Sequence, residues 1–172
     1  AQAQRFAELL EPADREIALG WIERGKGRPI GAFEHFRKAL ELDGDVYEVQ
    51  AGLALTSVEP LVEGLDSPAR EMAQARSAVA GRDWDRLGAL DEFLAQFEPG
   101  DPYFVEAMRY RAEWRLSHAG DVEMAEAALE LVDRGLRRES SQTLLDQRRR
   151  SLQVIRNEEE VPAELIEIPE VE

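Results

Sequence analysis

The chain contains no cysteine, which excludes disulfide frameworks, thiolate nucleophiles and cysteine-bound zinc together and leaves the redox compartment open. Histidine is nearly absent too: His35 and His118 lie far apart, and neither has carboxylates around it at metal-ligand spacing. No apolar run approaches the ~20 residues of a membrane-spanning helix, and no charged-then-apolar leader opens the sequence. Cationic excess is also lacking. Lys and Arg total 21 against 36 Asp and Glu, a net charge of -15, which argues against nucleic acid, because that affinity rests on neutralising phosphates. Sustained apolar-polar alternation of the kind strands need is missing between Glu11 and Asn157.

What is present fits a folded helical protein. Hydrophobic residues make up 44% and charged ones 33% of 172 residues, a globular composition in which folding buries roughly 70% of the extended chain's surface. Apolar residues recur every three or four positions, interrupted by punctuation at Gly25–Pro29, Leu42–Asp45, Ser67-Pro68, Gly81–Asp83, Pro99–Pro102, Gly120-Asp121 and Ser140-Ser141. The spacing predicts helices of about 11 to 18 residues joined by short turns, and therefore antiparallel hairpins.

Within these hairpins a repeat is visible. Leu19-Gly20-Trp21-Ile22, then Gly27, Ala32, Phe36, Ala39, Leu40, Leu42 and Asp43 place small residues where two helices approach and large ones where they fill gaps. This stretch, 14–45, resembles the tetratricopeptide repeat family. A second unit, 46–66, carries Gly52 and Leu55 but is irregular, with a shortened helix over Ser57–Leu65 that contains Pro60. A third spans 67–100 and a fourth 101–138, and 141–156 reads as a capping helix. The resemblance implies an all-α fold, antiparallel helix-hairpin repeats stacked as an α-α superhelix over 1–156. Residues 157–172 hold seven glutamates, Pro162, Pro169 and no basic residue, and read as an acidic, disordered tail. Without those seven charges the net charge falls from -15 to -8.

No constellation points to catalysis, and neither enzymatic activity nor a cofactor or metal is expected. Gly25-Lys26-Gly27-Arg28-Pro29-Ile30-Gly31 follows no strand and lacks phosphate-loop spacing, so it is a helix-helix turn. His35 reads as a packed or half-exposed side chain. Carboxylate pairs are abundant on surface helices, where nothing separates their pKa values by burial. One basic concentration occurs: Arg134, Arg137, Arg138, Arg148, Arg149, Arg150 and Arg156. It reads as a docking patch for an acidic partner, as a surface for the acidic tail, or as solvated arginines neutralised by Asp133, Glu139 and Asp146.

In the resembled family the first helix of each repeat lines a concave groove, which implies Ile17, Trp21 and Arg24, then Val49 and Leu53, Met72 and Arg76, and finally Tyr110, Trp114 and His118 as lining residues. Aromatic and arginine side chains dominate binding hot spots, so Trp21, Arg24, Arg76, Tyr110, Trp114 and His118 are the partner-binding candidates. The subset of the family that clamps a peptide carboxylate uses lysines and asparagines where this chain has Ile17, Trp21 and Leu53, which argues against that role. The expected function is a scaffold or adaptor binding another protein or peptide, the acidic surface favouring a basic partner. Two alternatives stand beside it. One is a non-catalytic assembly or regulatory domain of a larger enzyme or transporter. The other is a self-associating homo-oligomer joined through Ser57–Asp66 or through Leu165-Ile166-Glu167-Ile168. The first residue is Ala1 and not methionine, which leaves open a segment of a longer chain or a mature form trimmed of a leader. A soluble domain of cytoplasm or periplasm is expected.

Overall fold

The computed structural model describes Ala7 and residues 9–56, 65–118 and 120–157; the expected shortened helix over Ser57–Leu65 and the tail lie, apart from Leu65 and Asn157, outside them. Among the described residues all regular structure is helical: α1 Pro12–Gly25, α2 Pro29–Glu41, α3 Val46–Thr56, α4 Ala69–Gly81, α5 Trp84–Ala89, α6 Asp91–Leu94, α7 Phe104–Leu116, α8 Val122–Leu136 and α9 Gln142–Arg156. Consecutive helices pair as hairpins: α1 with α2, α2 with α3, α7 with α8 and α8 with α9. No described helix is long and apolar enough to cross a membrane. Residues 1–156 were expected to form one stack; the contacts divide the chain into two compact units, Ala1–Gln74 and Ala75–Glu172, with the division inside α4.

The first unit is organised around Phe36. Its ring is fully buried between α1 and α3 because each presents a glycine to it: a Cβ on Gly20 would stand 2.8 Å from the ring, and one on Gly52 2.4 Å. Both distances are below contact, so only glycine admits the ring. The turns are set locally. Pro29 opens α2, Gly27 takes a φ of +71° in the turn before it, and Asp45 Oδ1 accepts the Glu48 amide at 2.9 Å as the N-cap of α3. A polar clamp joins α1 to α2: the buried Glu16 carboxylate meets His35 Nδ1 at 2.7 Å and also accepts from Lys38.

In the second unit α7 is the central element, packed by α5, α6, α8 and α9. Tyr103, Phe104, Met108 and Tyr110 form its buried side together with Val132, Leu136 and Leu144. Gly135 brings α8 close to α9, where an added Cβ would stand 3.0 Å from Leu144. Asp121 caps α8 by accepting the Met124 amide at 3.0 Å. In the third repeat unit, residues 84–94 form two short helices of 6 and 4 residues, meeting at Leu90 with φ -95° and ψ -3°. The break lets Leu87 and Leu94 both bury completely while Asp91 reaches two arginines of α7. Tertiary pairing overrides the local helical pattern here.

Candidate protein-interaction surfaces

In the first unit α1 holds Trp21 half-buried at the surface in a fixed orientation. Its ring meets Phe36 edge-on at 4.9 Å between centroids, and the bracketed Phe36 gives it a rigid backing. The indole N–H donates to the carboxylate of Glu48 on α3. The Arg24 guanidinium lies 5.6 Å from the Trp21 ring centroid, within cation-π range. Glu48 is half-buried, and that burial holds its carboxyl above the usual range; the negative charges of Asp45 and Asp14 add to the effect, and the Trp21 hydrogen bond opposes it. Beside these residues in sequence, Leu42, Val46 and Tyr47 are exposed. An aromatic ring beside the Glu48 carboxyl, itself in the field of Asp45 and Asp14, is suited chemically to a cationic segment.

The remaining groove candidates of this region are core. Ile17, Val49, Leu53 and Met72 are 5%, 0%, 9% and 0% exposed, so none is available to a ligand. The same apolar spacing that marks a first helix's inner face is what packing consumes.

In the second unit Trp114 is half-buried, edge-on to His118 at 5.4 Å and with the Arg115 guanidinium 5.1 Å from its ring. Gly88 makes room for it: a Cβ there would stand 2.8 Å from the indole nitrogen. His118 is exposed, with Nδ1 3.1 Å from the Trp114 carbonyl oxygen. Tyr110, one turn before Trp114, was expected in the groove and is instead 1% exposed. Four helices surround α7, so its buried face is wide enough to take both the Tyr110 position and its neighbours. Arg76 is half-buried on α4. The structure thus brings Trp21 to Arg24 in one unit and Trp114 to His118 in the other.

Sequence reasoning missed the charged clamps. Asp91 accepts from Arg111 Nε at 2.8 Å and from Arg115 at 2.9 and 3.1 Å; its burial opposes ionisation, but the two guanidinium groups together hold its carboxyl below the ordinary range. Glu113 is lowered likewise, burial being outweighed by Arg150, Gln147 and Arg109. The arginine concentration divides in the structure. Arg148 is buried against Asp133 at 2.8 Å, Arg150 reaches Glu113 at 2.6 Å and Arg134 lies over Phe104, so these three tie helices together. Only the outward arginines, such as Arg137, Arg149 and Arg156, keep the character of a surface patch. Among the described residues no group of three or more His, Asp or Glu is placed to hold a metal ion. Compared with family models, with curated proteins and with solved structures, the chain finds no match.

Proposed function

We propose that this chain is a protein-interaction module of the degenerate tetratricopeptide type, and that its first unit captures a basic segment of another protein at Trp21 and Glu48. The observation that carries this reading is the half-buried indole, locked by Phe36 and hydrogen-bonded to a carboxylate. Such a ring costs little further ordering when it binds, which is what an anchor requires. It already takes one cation, Arg24, at its face. A partner's lysine or arginine would make the same contact and would relieve the mutual repulsion of Glu48, Asp45 and Asp14. Strained like-charge groups of this kind recur at binding sites, where stability is given up for function.

A fluorescence-monitored titration with lysine- and arginine-rich peptides tests this. Trp21→Ala is expected to weaken capture by about 30-fold, the effect of losing a hot spot of about 2 kcal/mol, whereas Trp114→Ala leaves it unchanged. Equal capture by wild type and Trp21→Ala, or equal capture of acidic peptides, would overturn the assignment.

Glu48→Gln separates binding from stability. A carboxyl with a raised folded-state pKa destabilises the fold as pH rises through and above that value. Glutamine still accepts the indole hydrogen bond but carries no charge. The variant is therefore expected to melt higher than wild type at neutral pH, to lose that advantage below pH ~4 where both side chains are neutral, and to bind basic peptides more weakly. Thermal melts at the two pH values check the sign.

A further inference from the structure

A second surface, on α9, has a different chemistry. Arg149, Leu152, Gln153, Arg156 and Asn157 line an open cleft of about 320 Å³. Among the described residues no carboxylate lines it, unlike the larger cleft on α8, where Glu126, Glu130 and Asp133 do. Its floor is the edge of an apolar seam in which Leu152 and Ile155 of α9 pack with Ala125 and Leu129 of α8. Arg156 has no ion pair among the described residues. Arg149 has only an exposed contact with Asp146, 3.2 Å away on its own helix, a type worth little in water.

The chain leaves this cleft at Asn157 and continues for fifteen residues, 158–172, containing seven glutamates, no lysine or arginine, and Val161, Leu165, Ile166, Ile168 and Val171. That composition complements two arginines set around a leucine. It also has the reach. Extended at ~3.3 Å per residue it covers about 50 Å, more than twice the ~22 Å length of α9. Being tethered at the rim, it meets the cleft at an effective concentration in the millimolar range, so weak contacts suffice. We propose that the segment 158–172 docks back in cis onto the Arg149–Leu152–Arg156 face of α9, glutamates on the arginines and an aliphatic side chain on Leu152. A basic partner able to compete for those glutamates would expose the α9 face.

The absence of cysteine allows a single-site label. With a nitroxide attached to Thr143→Cys, near the start of α9, the amide signals of Leu165–Ile168 in the full chain are expected to lose intensity at low salt. They recover it at ~1 M salt, where screening acts within about 3 Å. In Arg149→Glu/Arg156→Glu the loss disappears. In Glu164→Gln/Glu167→Gln, which leaves α1–α9 untouched, it is reduced; this second variant keeps the test decisive should charge reversal disturb α9. An intensity profile unchanged by both variants overturns the proposal. So does a loss appearing only when spin-labelled chain is mixed with isotope-labelled chain, because the segment would then dock on a second copy.

Discussion

Gly52→Ala is expected to destabilise the first unit by about 2 kcal/mol or more, although alanine is intrinsically the better helix former by roughly 1 kcal/mol. The added methyl would stand 2.4 Å from the Phe36 ring, and the ring is fully buried with Gly20 and Trp21 against it, so it has nowhere to move. Phe36→Ala removes the ring and is expected to cost about 3 to 5 kcal/mol through lost burial and the cavity left behind. The diagnostic result is the combination. Because Gly52→Ala harms only through Phe36, pairing it with Phe36→Leu should cost less than the two single changes added together, whereas unrelated sites add. Gly25→Ala is the control: nothing lies within 4 Å of a Cβ there, so its effect is neutral or slightly stabilising. Urea unfolding followed by residue-resolved hydrogen exchange in 12–56 measures all five, Phe36→Leu alone included, and strict additivity of Gly52→Ala with Phe36→Leu would remove the interlock from the account.

Half of that interlock was legible in the sequence. Gly20 and Phe36 fall in the small-and-large pattern of 14–45 and Gly52 in the unit after it, but that both glycines meet one ring is seen only once three helices are packed. The turns were legible in full: Gly27 with its positive φ, Pro29, Asp45, Asp83 and Asp121 act on their own few residues. Pairings across the fold left no such trace. Asp91 lies 20 and 24 residues from its arginines, and Glu16 lies 19 and 22 from His35 and Lys38. In a chain with 36 carboxylates and 21 basic residues, many partners are equally plausible on paper. The candidate site shows the same divide. Trp21 and Trp114 kept part of their surface while Tyr110 lost nearly all of its own, and nothing in their shared helical spacing separates them. What separates them is how many helices pack on each face, a property of the whole unit.

Neutralising Asp91 should produce the largest pH-dependent change in the second unit. Its side chain and those of Arg111 and Arg115 retain between 13% and 19% of their exposure, so the three charges depend on one another for solvation. Asp91→Asn leaves two guanidinium groups facing a neutral amide and is expected to cost about 2 to 3 kcal/mol at neutral pH, below the 3 to 5 of fully buried pairs because solvent still screens these. The direction with pH follows from the lowered carboxyl. A group whose folded pKa lies below its unfolded value contributes stability that is complete above the ordinary value of ~4 and is lost as pH falls through the folded one. The difference between wild type and Asp91→Asn should therefore be largest at neutral pH and shrink steadily in acid. Wild type continues to weaken there through Glu113, which is lowered in the same way. Hydrogen exchange along 104–156 at several pH values reads the second unit separately from the first. A wild-type advantage that is the same at pH 3 as at pH 7 would mean that shape, and not charge, is what Asp91 contributes. The clamp also bears on Trp114, because Arg115 links Asp91 to the Trp114 ring. Loss of the clamp should thus shift the emission of Trp114 under the same conditions that destabilise the unit.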